Sequence, residues 1–134
     1  MTVVKHRIIN DIAVIEISNP PVNAISAAVR TELLQTVNKL STEKNIKAIV
    51  ITAPERTFLA GADIKEFGKD IDAPLLSEVC VNFEDVDKIV VASLLGTPLG
   101  GGLEVAMSAH YRIAAPKTKV GLPEVLLGIL PGAG

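Results

Sequence analysis

The sequence predicts a mixed α/β layered domain, and three observations carry that expectation. Two strand–helix–strand passages follow one another along the chain, the arrangement that builds layered α/β folds. Short apolar runs of strand length, at residues 47–52 and 89–95, suit strands buried within a sheet. Of the 134 residues, 49% are hydrophobic but only 3% aromatic, the composition of a tightly packed aliphatic core. At this length a single domain over residues 1–134 is expected, with no internal repeat, low-complexity tract or interdomain linker.

The opening reads as a hairpin. Residues 3–9 and 12–18 are β-rich and meet at Asn10-Asp11, a pair that accepts turn geometry. Asn19-Pro20-Pro21-Val22-Asn23-Ala24 then ends the strand, because consecutive prolines cannot extend a ladder. Ser26 is a suitable N-cap for a helix reaching about residue 40, with Val29, Leu33, Val37 and Leu40 along its apolar stripe. Lys47-Ala48-Ile49-Val50-Ile51-Thr52 is the next strand, and Ala53-Pro54-Glu55-Arg56-Thr57 closes it. A short helix is expected near residues 64–67, then a polar, mobile loop over 68–73. A longer helix follows over about 74–87, with Leu75, Val79, Asn82 or Phe83, and Val86 on one side. Residues 89–95 read as a central strand that stops at Gly96. A helix over 103–109, a strand over 111–115 and an extended piece over 119–122 complete the pattern.

Charge excludes several classes of partner. The net charge of −2 and a pI near 5.7 leave no electrostatic footprint for nucleic acid or an anionic membrane. Lys65, Lys69 and Lys88 could still form a local basic rim for a phosphorylated ligand. No run of eighteen apolar residues is present to span a bilayer, and the N-terminus lacks a signal-peptide core. The lone cysteine, Cys80, excludes an internal disulfide, suits a reducing compartment and is expected to pack in the core. His6 is expected on a strand surface and His110 in a structural position. With one cysteine, these two scattered histidines make no metal site.

Two carboxylates stand out because their surroundings are apolar. Glu104 is the only charged residue between Lys88 and Arg112, and Glu124 the only one beyond Lys119. A carboxylate drawn into apolar surroundings costs desolvation free energy unless something compensates it. Two such groups facing one cleft could hold a water, one acting as acid and the other as base. The plainer alternative is that each sits in the exposed first turn of a helix, where the macrodipole favours an anion. Gly100-Gly101-Gly102 follows a strand and opens a helix, so its amides could bind phosphate or form an oxyanion hole for a carbonyl gaining charge. The spacing fits neither a Walker loop nor a dinucleotide fingerprint. Close packing of helix on sheet would equally account for the glycines.

Four segments resemble one family. Phe58-Leu59-Ala60-Gly61-Ala62-Asp63-Ile64-Lys65-Glu66 resembles the first signature of the crotonase, or enoyl-CoA hydratase/isomerase, superfamily. Residues 99–107 and 121–134 are similar to its second and third signatures, and Asn19-Pro20-Pro21-Val22-Asn23-Ala24 to its CoA-contacting segment. The form of that last segment is most like the N-terminal hydratase domain of bifunctional fatty-acid β-oxidation enzymes. The resemblance runs through essentially the whole chain, in order.

The resemblance implies a β/α spiral core of two roughly perpendicular sheets flanked by helices. It implies enoyl-CoA hydratase activity, adding water to a 2-trans-enoyl-CoA. The amides of Ala62 and Gly101 become the oxyanion hole around the thioester oxygen, and Glu104 and Glu124 hold the water. Pro21, Val22, Ala24, Ala60, Asp63, Ile64, Lys65, Gly100, Pro123 and Gly132 become substrate- and CoA-binding residues, with Lys65 near the phosphates or adenine. No cofactor and no metal are implied, since coenzyme A is part of the substrate. A trimer-based homo-oligomer is implied, cytoplasmic in a bacterium and peroxisomal or mitochondrial in a eukaryote. A 3,2-enoyl-CoA isomerase, or a CoA-thioester-binding fragment without turnover, are the alternatives.

Two departures add expectations. Thr97-Pro98 stands where the family has a small or aromatic residue followed by alanine, and Pro98 could narrow the acyl pocket or stiffen the loop. Family members also run considerably longer, so the core is expected to be incomplete at its C-terminus. That leaves apolar surface uncovered near Val105, Leu126, Leu127 and Ile129, and exposed patches of this kind drive self-association.

Overall fold

The computed structural model describes residues 2–54, 56–66, 68–70 and 74–133. Its centre is a five-stranded sheet in the order β1-β2-β3-β4-β5. β1 (Val4–Ile9) and β2 (Ile12–Ile17) form the expected hairpin, with Val4 opposite Ile17 and Ile9 opposite Ile12. Asn10 takes φ 56° in the turn, a conformation its short polar side chain tolerates. β3 (Ala48–Thr52), β4 (Ile89–Leu94) and β5 (Tyr111–Ala114) add in parallel, with Ile51 beside both Ile15 and Ala92.

Each interior strand buries one face. Ala13, Ile15, Ile17, Ile49, Ile51, Val90, Ala92 and Leu94 turn toward the core, at alternate positions as a pleated strand requires. Helix α1 (Ala27–Thr42) lays Val29, Leu33, Val37 and Leu40 against this face, the stripe read from the sequence. Its N-cap is Ser26, whose Oγ accepts the Val29 N–H at 3.4 Å. α2 (Leu76–Asp85) contributes Val79, Cys80 and Phe83, and α3 (Gly101–Ser108) contributes Val105 and Ala106. Phe58 and Leu59, both fully buried, fill the space beneath the loop that leaves β3.

Several expectations change in the folded chain. The strand read as central, β4, is interior but lies between β3 and β5, so β3 is the middle strand. α2 is shorter than expected, and Leu75 is an exposed N-cap while Cys80 takes the buried position. The short helix near 64 is a 3-10 turn at Ile64–Glu66; its expected last residue, Phe67, lies outside the described residues, as do 71–73 of the loop expected over 68–73. α3 begins two positions early because Gly102 packs directly on the Leu59 carbonyl, a tertiary contact that overrides weak helix propensity. The extended piece at 119–122 makes only one parallel bridge, Leu99 with Gly121. With a second bridge, Ile25 with Ala62, it stands where a second sheet was expected; the described residues form one ladder sheet. Val105 is buried, against the expectation that it would be uncovered, whereas Leu126, Leu127 and Ile129 are exposed. Among the described residues no helix is long and apolar enough to cross a membrane.

Candidate active site

Four consecutive parallel strands each deliver one candidate segment from their carboxyl ends. β2 runs into residues 18–25, β3 into 53–63, β4 into 95–100 and β5 into 115–124. In open α/β sheets that edge is where loops gather to bind ligands. Asn23 ties the first two segments together. It is buried, and its Nδ2 donates to the carbonyls of Ile17 (3.2 Å), Thr57 (3.1 Å) and Phe58 (2.6 Å), while its Oδ1 accepts the Asn19 N–H at 2.7 Å. The Ala60 N–H returns to Asn23 O at 3.1 Å. Phe58 N–H donates to Leu95 O at 3.1 Å, joining the β3 segment to that of β4.

Ala62 sits in a one-residue parallel bridge. Ile25 N–H donates to Gly61 O (2.8 Å) and Asp63 N–H to Ile25 O (3.4 Å), so the neighbours of Ala62 make the bridge. The N–H of Ala62 itself points to the opposite side, and among the described residues it has no acceptor. Gly101 is the first residue of α3, preceded by no helical turn that could take its N–H. Its N–H likewise has no acceptor among the described residues. Gly100 makes the turn into the helix at φ 52°, where a side chain would be strained, and its own N–H is held by Gly121 O at 2.9 Å.

Both glutamates reach this turn. A Cβ on Gly100 would stand 3.0 Å from Glu124 Oε1, and one on Gly101 3.9 Å from Glu104 Oε2. Glu104 is 7% exposed and Glu124 8%, which removes the alternative of solvated first-turn carboxylates. Glu104 projects from the first turn of α3, and its Oε1 accepts the buried Ala133 N–H at 2.8 Å. Glu124 lies in a 3-10 turn (Pro123–Leu127) with Pro123 at its first position. Its Oε2 is buried with no hydrogen-bond partner among the described residues. A buried acceptor without a partner costs about 1–3 kcal/mol, so this oxygen is suited to take a hydrogen bond from a bound molecule.

The other expected site residues divide among neighbouring surfaces. Ala62 and Asp63 line a pocket of about 210 Å³ with Ile25, Arg30, Glu66 and Leu76. Pro21, Val22 and Ala60 line a separate, wider groove with Arg56, Thr97 and Leu99. Ala24 is half-buried, its carbonyl taken by Asn19 Nδ2 at 2.8 Å. Ile64 is 77% exposed, and Lys65 is exposed with its N–H on Asp63 Oδ1 at 3.0 Å. Gly132 is exposed in the tail leading to Ala133. Thr97 faces the groove of Pro21 and Val22, while Pro98 is buried and lines neither cavity.

Sequence reasoning missed four residues that shape this region. Leu76 places Cδ2 2.7 Å from where a Gly101 Cβ would be, and Ile25 Cδ1 lies 3.4 Å from the same point. Arg30 and Glu66 form an ion pair at 2.8 Å in the wall of the Ala62 pocket. Glu66 closes the first signature segment, whereas Ile25, Arg30 and Leu76 carry no local signal, since each acts through contacts with distant segments. His6 is exposed, and His110 Nδ1 accepts the Val90 N–H at 3.1 Å, a structural role at the β4 start. Among the described residues no group of three or more His, Cys, Asp or Glu gathers as a metal site.

Known proteins resemble this chain in sequence and fold. Residues 7–134 match the enoyl-CoA hydratase/isomerase family. The chain is 45% identical over 123 residues to the peroxisomal bifunctional enzyme of Danio rerio, covering 92% of this chain and 17% of that protein. It is 43% identical over 128 residues to a probable enoyl-CoA hydratase of Bacillus subtilis (strain 168), covering 90% of this chain and 50% of the relative. Among solved structures, the enoyl-CoA hydratase of Thermoplasma volcanium GSS1 superposes with TM-score 0.86 at 32% identity, over 96% of this chain and 54% of that one. DspI of Pseudomonas aeruginosa superposes with TM-score 0.90 at 28% identity, over 100% and 54%. The chain therefore spans 17% and 50% of the length of these two curated relatives and 54% of each solved structure.

Proposed function

Because this chain belongs to the enoyl-CoA hydratase/isomerase family, we propose that it carries the machinery that adds water to a 2-trans-enoyl-CoA. The observation that carries the reading is the pair of buried carboxylates, Glu104 and Glu124, meeting at one glycine turn beside two N–H groups that have no acceptor among the described residues. The thioester oxygen accepts from the N–H of Ala62 and Gly101. A water lies between the two glutamates, donating to the open Glu124 Oε2.

The steps balance. The water oxygen forms a bond to the β-carbon while one glutamate takes its proton. The π electrons of the double bond move through the α-carbon onto the thioester oxygen, where the two amides stabilise the charge. The other glutamate position delivers a proton to the α-carbon, the carbonyl re-forms, and the product is a 3-hydroxyacyl-CoA. Loss of one preorganised donor of this kind typically costs roughly 3–4 kcal/mol of transition-state stabilisation. Pro21, Val22, Ala24 and Ala60 hold the CoA portion, with Asp63, Ile64 and Lys65 at its polar end. No cofactor takes part.

A 3,2-enoyl-CoA isomerase shuttles one proton and needs only one of the two bases. Burial of both carboxylates at one turn favours hydration. The test is to present the protein with 2-trans- and 3-enoyl-CoA thioesters and follow hydration and double-bond migration separately. Hydration with little migration is the expected result; migration without hydration would replace this reading with the isomerase, and neither would leave a binding module.

A further inference from the structure

Arg30 belongs to no signature motif, yet it is 5% exposed. Arginine is kept that far from water only where its fork of donors is met. Here the donors reach three separate segments. Nε donates to Pro74 O at 2.8 Å, Nη1 to Ile25 O at 3.3 Å, and Nη1 to Glu66 Oε2 at 2.8 Å. Each segment leads back to the glycine turn. Ile25 is the residue bridged to Ala62, Pro74 precedes the helix whose Leu76 lies against Gly101, and Glu66 ends the 3-10 turn that follows Ala62-Asp63. The other Glu66 oxygen accepts the Ala27 N–H at 2.7 Å, so the same carboxylate also holds the start of α1.

The backbone bridge clamps Ala62 unevenly: Ile25 N–H holds Gly61 O at 2.8 Å on one side, but on the other Asp63 N–H reaches Ile25 O only at 3.4 Å, the long end of a hydrogen bond. That same Ile25 oxygen also accepts from the guanidinium, at 3.3 Å. A donor aimed at a developing oxyanion works only if it is fixed within about 0.5 Å, and a misplacement of about 1 Å can cost on the order of 10²-fold in rate. We propose that Arg30, acting with Glu66, is a positioning residue that sets the Ala62 amide against the thioester oxygen. The proposal rests on the hydratase reading. A lysine cannot substitute, since it lacks the planar fork that spans three acceptors. A buried ion pair is itself weak evidence for a stabilising role, whereas the contacts to Ile25, bridged to Ala62, and to Glu66, at the end of the turn that follows it, tie this pair to the segment that carries the Ala62 amide.

The test reads the amide directly. The thioester carbonyl stretch of bound butyryl-CoA, a saturated probe that cannot be hydrated, moves to lower frequency in proportion to the hydrogen bonds its oxygen receives. It is recorded only from folded, occupied protein, alongside kcat and KM for hydration of a 2-enoyl-CoA. Arg30→Lys is expected to lose most of the carbonyl shift and to lower kcat roughly 10–100-fold, with KM within about threefold. Glu66→Gln, at a side chain 30% exposed, leaves one acceptor oxygen where the carboxylate had two, so it keeps either the Ala27 or the Arg30 contact and loses the other; it serves where Arg30→Lys fails to fold, and a loss in the same direction is expected. Full carbonyl shift and wild-type kcat in a folded variant would overturn the proposal. If the unmodified protein itself neither hydrates nor shifts the probe, the hydratase reading fails and the positioning role falls with it.

Discussion

Replacing Gly102 and then Gly101 with alanine separates packing from chemistry at the turn that opens α3. A Cβ on Gly102 would lie 2.1 Å from Leu59 O and 2.8 Å from the Leu59 carbonyl carbon, while ordinary contact begins at 3.4 Å. Backbone must therefore part from backbone by more than an ångström, at a residue with 0% exposure. Overpacking of this kind costs up to about 3 kcal/mol, offset by at most about 1 kcal/mol of helix propensity gained by alanine. A net loss near 2 kcal/mol corresponds to a fall in Tm of roughly 6–10 °C for a domain of this size. Because Leu59 precedes Ala60-Gly61-Ala62, the displacement also reaches the Ala62 amide. A Cβ on Gly101 instead meets Leu76 Cδ2 at 2.7 Å, the far end of a side chain that can turn aside. Gly101→Ala is expected to stay within about 3 °C of the parent, since it exchanges a small repacking cost for helix propensity. Thermal unfolding followed by circular dichroism measures both. Equal Tm values for Gly102→Ala and the parent would refute the view that α3 is seated on Leu59.

Three further outcomes follow from the same structure. Burial pushes the Cys80 thiol up to about 11, with a Ser108 hydrogen bond opposing and the Glu104 and Glu84 carboxylates adding to the rise. At pH 8 the folded protein therefore carries about a hundredfold less thiolate at Cys80 than an ordinary thiol at 9.0, and alkylation is expected to be correspondingly slow until denaturant is added. Since the folded state holds this proton more tightly, the Cys80 contribution to stability is full below pH 9 and is lost as pH rises toward about 11. Val125, Leu126, Leu127 and Leu130 are between 69% and 83% exposed, an apolar surface that is expected to drive self-association of the isolated 134-residue chain. A monodisperse monomer by light scattering would contradict that expectation.

Much of the fold was legible because local chemistry and the final structure agree. The hairpin follows from β-rich runs around Asn10-Asp11, and α1 from Ser26 and the spacing of Val29, Leu33, Val37 and Leu40. The buried carboxylates were legible as charges isolated in apolar sequence. What stayed hidden depends on partners far along the chain. Arg30 reads as an ordinary polar residue of a helix until Pro74 and Glu66 are brought beside it. The early start of α3 needs Leu59, forty-odd residues away, and glycine propensity alone argues against it. Asn23 lay within a segment marked for ligand contact, yet its side chain is spent on the carbonyls of Ile17, Thr57 and Phe58. That bond set makes it a clamp between two strand ends.

The catalytic claim turns on Glu104 and Glu124, and one measurement reaches it most directly: steady-state hydration of a 2-enoyl-CoA by Glu104→Gln and Glu124→Gln. Glutamine preserves shape and hydrogen bonding, including an acceptor for the Ala133 N–H now held by Glu104, but cannot take the proton. Each substitution is expected to lower kcat at least about 10²-fold, or about 2.7 kcal/mol, with a much smaller change in KM. The double variant is expected to lose less than the two single losses combined, because the two carboxylates act on one water. An isomerase would instead tolerate Glu104→Gln while being crippled by Glu124→Gln. Wild-type hydration rates in both single variants would contradict the account.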